Sequence, residues 1–418
     1  MGKDSGVCVV YKSEQDIAVR DNSNIKSICV IADGYPSKLS IRNAFVKNLV
    51  DAWVDYCGIS VTVIAPQSST TILMHKDYHI VPYRRIEKTP CGHDVVVYSP
   101  QYLTFSNWQF PCFNIQRLSF KIFLRVVRKI LMNITQREKI DVLYGHFLSP
   151  AGEAVAQLGA KYKIPAFFAF GESGSNDTIG HLGEKMSAKL LQPITGVVSV
   201  SSCNKQRLLN AGVVAEDKIE IFPNGVEAKL FAPGDRNELR KQFSWPQDKF
   251  IIAFTGYFIH RKGPDRLMEA VKKLQDDDIC LAFFGKGKLK PQGDNILYCD
   301  MVKHEELGKY LAAADLFVLP TITEGCCNAI IEAMACGLPV VSSNGTFNDD
   351  LLNVENAIRI DPMDVDQIAD AIKKIKSSKE LQASMSAASL EKAKILTIEQ
   401  RAKNILRFME EKITKGKK

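Results

Sequence analysis

The stretch that most constrains the fold, residues 323–341, reads TEGCCNAIIEAMACGLPVV. It predicts a helix over Asn328–Ala335 followed by a strand, which is one half of a parallel α/β unit. Glu324 falls just after the preceding strand, and Glu332 falls inside the helix. A helix N-terminus offers unpaired backbone N–H groups and a positive dipole, which suit a diphosphate. The segment therefore predicts a phosphate site between two carboxylates.

The same alternation of strands and helices extends in both directions along the chain. Strand–helix–strand patterns are predicted over residues 27–65 and again over residues 250–284, and this spacing is typical of parallel sheets. Turn residues around 222–235 separate the two series. The 418-residue length also exceeds what a single core usually supports. The sequence predicts two Rossmann-like domains, 1–226 and 227–395, with ligands at the carboxyl ends of the strands.

Composition narrows the classes of function. Hydrophobic residues make up 46% of the chain and charged residues 24%, a globular balance that excludes wholesale disorder. The net charge of +7 permits an anionic partner without indicating nucleic acid. The eleven cysteines form no Cys-x-x-Cys pair, so neither a zinc site nor a redox motif is indicated. With no apolar run of 18 residues and many free thiols, we expect a cytoplasmic protein.

A second motif, GYFIHRKG, occupies residues 256–263 and follows a predicted strand. Arg261 and Lys262 would project into the cleft, where fixed cations stabilise a departing diphosphate without a metal ion. A solvated Arg–Lys pair ahead of a helix is the plainer alternative. A weaker Gly-x-Gly turn, at Gly285 and Gly287, follows the next predicted strand.

Together these motifs resemble glycosyltransferase family 4, retaining enzymes of the GT-B fold, in which a Glu-x7-Glu element and a Lys-Gly turn occur in this order and spacing. The resemblance covers about residues 25–407 and is strongest from 219 to 342. It implies that the donor-binding domain is the second one and that the last helix, 396–418, crosses back to the acceptor-binding first domain. It also implies an α/β fold of two Rossmann-like domains facing each other across a cleft.

The resemblance assigns roles to individual residues. It implies that Glu332 binds ribose, that Glu324 contacts the donor sugar, and that Arg261 and Lys262 hold the diphosphate. Arg261, Lys262 and Glu324 are thus the candidate catalytic residues. The remaining candidate donor-binding residues are Gly256, Gly285, Val302, Cys327 and Asn328.

Two positions depart from the family pattern. Tyr257 stands where an arginine is common, and Arg261 beside Lys262 can supply that charge. Phe170 stands where a histidine usually precedes a glycine and touches the donor sugar. Three residues are candidates for contacts with the sugar or the acceptor, each with a plain structural role as the alternative: Gly34, His146 and Glu172.

Two features bear on the acceptor. Residues 117–134 have helical period, with one basic and one apolar face, so they form either a Rossmann helix with a solvated basic edge or a docking surface for an anionic membrane. The aromatic loop 102–113 would cover either an acceptor sugar or the core.

The predicted function is retaining, metal-independent transfer of a sugar from a nucleotide sugar, a UDP- or GDP-sugar, to a hydroxyl of a lipid-linked glycan in surface polysaccharide synthesis. The nucleotide sugar is a substrate, so we expect no cofactor. Two alternatives remain: a nucleotide-sugar epimerase on the same fold, and a nucleotide-sugar-binding protein without catalysis. A nicotinamide dehydrogenase is disfavoured, because no Gly-x-Gly-x-x-Gly follows the first strand.

Overall fold

A computed structural model describes residues 23–37, 43–74, 80–105, 109–110, 113–173, 179 and 181–416. Residues 1–22, most of the polar N-terminal extension, lie outside the described residues, as does Trp108 of the aromatic loop. The strands are β1 Ser27–Ala32, β2 Ser60–Ile64, β3 Gln67–Ser68, β4 Arg84–Lys88, β5 Asp94–Tyr98, β6 Gln101–Tyr102, β7 Gln109–Phe110, β8 Phe113–Asn114, β9 Val142–His146, β10 Ala166–Phe170, β11 Gly196–Ser199, β12 Ile219–Ile221, β13 Phe250–Thr255, β14 Ile279–Phe284, β15 Ile296–Asp300, β16 Leu316–Leu319, β17 Val340–Ser343 and β18 Ala357–Ile360.

Helices alternate with these strands along the chain. They are α1 Ala44–Cys57, α2 Ser69–Met74, α3 Ile115–Thr135, α4 Glu153–Tyr162, α5 Glu184–Leu191, α6 Ser202–Asn210, α7 Arg236–Gln242, α8 Pro264–Leu274, α9 His304–Ala312, α10 Asn328–Ala335, α11 Val365–Lys376, α12 Lys379–Lys394 and α13 Ile398–Lys415. Short π or 3-10 turns are Leu148–Gly152, Glu216–Lys218 and Thr346–Asn348.

The first sheet has the strand order β12-β11-β10-β9-β1-β2-β5-β4. Its neighbouring strands are parallel except β4, which pairs antiparallel with β5 at the edge. β9 and β10 are buried along their whole length, as expected where helices cover both faces of a parallel sheet. The strand order reverses between β1 and β9, so loops on either side of this point diverge and leave a crevice at the carboxyl ends.

The second sheet, β15-β14-β13-β16-β17-β18, is parallel throughout. Its order is that of a doubly wound dinucleotide-binding sheet, and it reverses between β13 and β16. The two sheets therefore confirm the prediction of two Rossmann-like α/β units. The ligand crevice of the second sheet is expected between the loops that follow β13 and β16.

The last helix, α13, packs against α1 of the first unit. Trp53 Nε1 donates a hydrogen bond to the carbonyl oxygen of Ala402 at 3.2 Å, and a short bridge pairs Val226 with Thr397. Ile405 and Met409 of this helix are fully buried in the core that lies against β1 and β2. Along the sequence, the second sheet is therefore inserted between two segments, the first unit and α13, that together build the first core.

Helix α3 buries one face and exposes the other. Phe123, Val127 and Leu131 are fully buried, while Lys121 and Arg125 are exposed. This is the arrangement of a Rossmann helix with a solvated basic edge. In the part of the chain that the structure describes, no helix combines the length and apolarity needed to cross a membrane.

Candidate active site at the strand ends

The loops that follow β13 and β16 meet at the reversal point of the second sheet. Ile322, after β16, donates its backbone N–H to the carbonyl oxygen of Arg261 at 2.8 Å. The two loops are therefore joined by a backbone hydrogen bond at the place where ligands of such sheets bind.

Arg261, Lys262 and Glu324 form a cation–carboxylate cluster in this crevice. Lys262 Nζ lies 2.5 Å from Glu324 Oε1, and Arg261 Nη1 lies 3.0 Å from the same oxygen. Arg261 also donates to the carbonyl oxygen of Thr323 at 2.6 Å, and the Thr321 hydroxyl donates to Glu324 at 2.7 Å. The structure thus brings together the three residues that the sequence proposed as catalytic.

The cluster keeps Glu324 ionised. Burial would raise the pKa of its carboxyl group, but Lys262 and Arg261 outweigh that effect and hold the pKa below its ordinary value. Two cations share one carboxylate, so the cluster carries a net positive charge before any ligand binds. It can exchange the carboxylate for a diphosphate without bringing in a new cation.

Helix α10 begins beside the cluster. Its N-cap residue, Cys327, makes no side-chain capping hydrogen bond, so the first backbone N–H groups keep their capacity for an anion. Burial raises the pKa of the Cys327 thiol to about 11; Lys262 lowers it, while Glu324 and Glu332 raise it further. Cys327 is therefore an unreactive thiol close to both carboxylates. Asn328 is exposed and accepts a hydrogen bond from Asn224 Nδ2 at 2.7 Å.

Glu332 pairs with a residue that the sequence analysis missed. His304 Nε2, at the start of α9, lies 3.5 Å from Glu332 Oε1, and this contact raises the pKa of His304. Glu227 lies near the same pair and also raises that pKa. A single histidine just beyond β15 carries no motif, but its place after a strand end was a usable signal.

Close backbone approach explains one glycine of the donor set. A Cβ on Gly285 would lie 1.9 Å from the carbonyl oxygen of Gly256, so only glycine fits. Gly256 N–H donates to Phe284 and Gly285 N–H donates to Asp300, which ties the ends of β13, β14 and β15 together. Val302 follows the last of these strand ends and is half-buried. Tyr257 is 56% exposed.

A loop of the first unit and a loop of the second unit come into contact at Gly325. A Cβ on Gly325 would lie 2.1 Å from the carbonyl oxygen of Gly171, directly after β10. The adjacent Glu172 is buried, and its carboxylate accepts backbone N–H groups of Leu148 and Gly171, each at 3.3 Å. Glu172 therefore orders the loop that faces the cluster, with its carboxylate directed at backbone.

His146 and Gly34 lie at the reversal point of the first sheet. The His146 ring packs 5.2 Å from the Phe45 ring, and burial lowers its pKa to about 3, so the imidazole is neutral. The carbonyl oxygen of Gly34 accepts a hydrogen bond from Asn43 Nδ2 at 3.3 Å. Within the described ranges, neither residue forms a hydrogen bond or an ion pair with the cation–carboxylate cluster. Among those residues, no group of three or more His, Cys, Asp or Glu side chains is arranged to hold a metal ion.

The sequence of this chain matches known glycosyltransferases. Residues 235–392 match the sequence model for "Glycosyl transferases group 1", and residues 43–230 match the one for "Glycosyltransferase Family 4". TuaC of Bacillus subtilis, named as a teichuronic acid biosynthesis glycosyltransferase, is 25% identical over 82% of this chain and 87% of its own length.

Solved structures share the fold at low sequence identity. Sucrose-phosphate synthase from Thermosynechococcus elongatus superimposes with a TM-score of 0.71 at 18% identity, covering 93% of this chain and all of the other. Anabaena Alr3699/HepE, solved with UDP, gives 0.68 at 15% identity, covering 92% and 99% of the two chains. The expected GT-B architecture is thereby confirmed. With residues 43–230 and 235–392 matched by glycosyltransferase family models and more than nine-tenths of the chain by this architecture, the protein belongs to glycosyltransferase family 4 of the GT-B fold.

Proposed function

We propose that the enzyme transfers a sugar, with retention of anomeric configuration, from a UDP- or GDP-sugar to a hydroxyl of a lipid-linked glycan in surface polysaccharide synthesis. The observation that carries the proposal is the cation–carboxylate cluster beside the uncapped start of α10. In this place the cluster and the helix offer a diphosphate two cations and free backbone N–H groups.

The donor's parts are assigned to residues in order along the crevice. The diphosphate replaces Glu324 as the partner of Arg261 and Lys262, and Glu324 then accepts hydrogen bonds from hydroxyls of the donor sugar. Glu332, held by His304, accepts the ribose hydroxyls. Gly256, Gly285 and Val302 let the nucleoside lie against the strand ends. This set uses no metal ion, because the two cations supply the positive charge.

The chemical step then needs three things from this chain. Arg261 and Lys262 stabilise the charge that develops on the leaving diphosphate. Contact between the Gly171 and Gly325 loops shields the reacting atoms from water. The acceptor hydroxyl attacks from the face that the diphosphate leaves, so that the new bond keeps the donor's configuration.

Relatives support the substrate classes. TuaC bears a name that refers to teichuronic acid, and a Corynebacterium glutamicum relative, 23% identical over 49% of this chain and 59% of its own, is named as a GDP-mannose-dependent mannosyltransferase of a phosphatidylinositol mannoside. Alr3699/HepE was solved with UDP-glucose. These names favour UDP or GDP as the nucleotide and a lipid-linked or polymeric acceptor.

The first experiment is thermal unfolding with UDP, GDP, ADP, CMP and dTDP. One nucleotide should stabilise wild type by about 2.7 kcal/mol at 100 times its Kd, and should fail to stabilise Glu332→Ala. Glu306→Ala, which removes an exposed glutamate of α9, is the control and should behave as wild type. The absence of stabilisation by all five nucleotides would contradict the proposal.

Transfer and retention are then measured with the sugar donor of the selected nucleotide. An NMR spectrum of the product should show the donor's anomeric configuration. Conversion of the donor sugar without an acceptor would instead support the epimerase alternative. Tight donor binding with neither transfer nor hydrolysis would support a non-catalytic binding protein.

We also propose that the basic edge of α3 lets the enzyme bind an anionic membrane. Lys121, Arg125, Arg128 and Lys129 are exposed along it. Each basic residue near an anionic surface contributes about 1 kcal/mol. Sedimentation with phosphatidylglycerol vesicles should capture the wild type and lose the quadruple Gln variant, whereas equal capture of both would refute the proposal.

A further inference from the structure

A cavity of about 170 Å³ lies at the carboxyl edge of the first sheet. Its walls come from chain segments beyond three strands of this sheet: Phe105 lies past β5, just after the short strand β6, Ser149 follows β9, and Leu182 lies past β10. Because these strands are parallel, their loops emerge at the same edge, which is the edge where Gly171 meets Gly325 of the second sheet. A larger cavity, about 290 Å³, lies between α5 and residues 212–218 and takes no residue from these loops.

The walls of the smaller cavity suit a sugar ring. Phe105 and Tyr102 present aromatic surface, which packs against the C–H face of a pyranose. Thr104, Ser119 and Ser149 present hydroxyl groups, which can donate to or accept from sugar hydroxyls. A cavity for a purely apolar ligand would lack this ring of hydroxyls.

Hydrogen bonds already fix these walls. Ser119 Oγ accepts the backbone N–H of Phe105 at 3.0 Å, which anchors the aromatic loop on α3. Ser149 donates to Glu153 at 2.8 Å, and Glu153 is fully buried. The carbonyl oxygen of Thr104 accepts a bond from the Thr70 hydroxyl at 2.8 Å. The cavity is therefore built before a ligand arrives, which lowers the entropic cost of binding.

Two basic residues of α3, Arg117 and Lys121, lie beside the cavity. Arg117, one turn before the wall residue Phe120 on α3, donates from Nη2 to the carbonyl oxygen of Leu182 at 3.4 Å. Lys121 follows one turn later on the same helix and is exposed. A phosphate attached to a sugar in the cavity would lie within reach of the Arg117 guanidinium, which binds phosphate oxygens in a bidentate fork.

We propose that this cavity is the acceptor subsite, and that it holds the sugar ring of an acceptor whose anomeric phosphate is bound by Arg117. The inference rests on the proposed function, since it names the acceptor of the same reaction. The phosphate can belong to a free sugar 1-phosphate or to a lipid diphosphate, and the experiment separates these two sources.

The test measures binding directly and uses no donor. The probes are glucose, galactose, mannose and N-acetylglucosamine 1-phosphates, their methyl glycosides, and the octyl-diphosphate-linked sugars, titrated into the full-length protein by NMR. At least one phosphate probe should bind wild type. Phe105→Ala should weaken it about tenfold through lost ring contact. Arg117→Gln should weaken the phosphate probes about tenfold and the methyl glycosides little.

Matched controls separate the cavity from general effects of charge and truncation. Leu103→Ala removes an exposed side chain of the same loop, and Arg137→Gln removes an exposed charge just after the end of the same helix. Both should leave probe affinity unchanged. Tighter binding of the octyl diphosphates than of the 1-phosphates identifies a lipid-linked acceptor, and equal binding identifies a sugar phosphate.

Failure of this inference differs from failure of the proposed function. If no probe binds wild type, or if Phe105→Ala and Arg117→Gln bind as well as Leu103→Ala and Arg137→Gln, the acceptor subsite is refuted. The nucleotide screen is independent of these variants, because none of the four residues touches the cation–carboxylate cluster. Nucleotide binding without probe binding would refute the subsite alone.

Discussion

The two carboxylates of the donor site should respond in opposite directions to the same chemical change. Glu324→Gln should tighten binding of the nucleoside diphosphate product, whereas Glu332→Gln should weaken it. The reason is that Glu324 occupies both diphosphate-binding cations in the ligand-free protein, at 2.5 and 3.0 Å, while Glu332 is assigned to the ribose. A nucleoside diphosphate lacks the transferred donor sugar, so the loss of the contact between Glu324 and that sugar does not affect the measured affinity.

The magnitude follows from those two distances. At an effective dielectric constant of about 20, each ion pair is worth roughly 5–7 kcal/mol before desolvation is counted. Lys262 and Arg261 surrender this interaction when they turn to the diphosphate. Most of this energy does not appear in the binding of the nucleoside diphosphate, because the glutamine oxygen still accepts hydrogen bonds and burial already disfavours the carboxylate. We expect Glu324→Gln to improve the binding free energy by about 1.4 kcal/mol, which is a tenfold lower Kd. Sugar transfer should fall about a hundredfold in the same variant.

Isothermal titration with the nucleotide selected by the thermal screen measures both variants. Glu306→Gln is the control and should match wild type. Unchanged or weaker nucleotide binding by Glu324→Gln would refute the exchange of Glu324 for diphosphate. Weaker binding by Glu324→Gln and unchanged binding by Glu332→Gln would reverse the two assignments.

Three further changes probe the rest of the molecule. Burial raises the pKa of Glu153 to about 7, above its ordinary value near 4.5, so the native state binds this proton more tightly than the unfolded state and its stability falls as pH rises from about 4.5 to 7. Glu153→Gln should remove up to roughly 3 kcal/mol of the pH dependence of the free energy of unfolding, measured in urea between pH 5 and 7.5, and an unchanged pH dependence would contradict its assignment to Glu153. Gly325→Ala places a Cβ 2.1 Å from the Gly171 carbonyl oxygen, so kcat/KM for transfer should fall about a hundredfold while titration shows nucleotide affinity within about threefold of wild type; intact transfer would show that this contact is dispensable. Asp350 accepts both the N–H and the hydroxyl of Ser202 across the two units, at 2.6 and 2.9 Å, so Asp350→Asn should lower the free energy of unfolding by about 1–2 kcal/mol in urea titration, and equal stability would argue that the contact is loose in solution.

Strong apolar periodicity made much of the fold predictable. The helix α10 was expected at its observed bounds, and β13 and β14 lie within the strand–helix–strand pattern predicted over residues 250–284, because buried strands of parallel sheets are continuous apolar runs. The edge strand β4 was not predicted, since its sequence, RRIEK, is mostly charged and only its pairing with β5 makes it a strand.

The candidate site was predictable where a motif fixed the position on the fold. The motif placed Lys262 and Glu324 after neighbouring strands, but it did not reveal that they bind each other. For Glu172 the sequence left a sugar or acceptor contact and a structural role both open, and only the folded loop shows that its carboxylate accepts backbone N–H groups of Leu148 and Gly171. His304 was missed because its partner, Glu332, lies on another helix and only tertiary packing joins them.

The packing of α13 on α1 makes the second unit an insertion into the first. Trp53 and Ala402 are 349 positions apart, and the described start of the chain reaches the same helix, where the Ser23 hydroxyl donates to Glu410 at 2.6 Å. A ribosome releases the whole second sheet before it makes the helix that completes the first core, so the second unit is free to fold while the first waits. Cutting the chain near residue 230 would leave Val30 and Trp53 beside an open groove. A circular permutant with α13 joined ahead of Ser23 would instead make the first unit continuous, and each unit could then be produced alone.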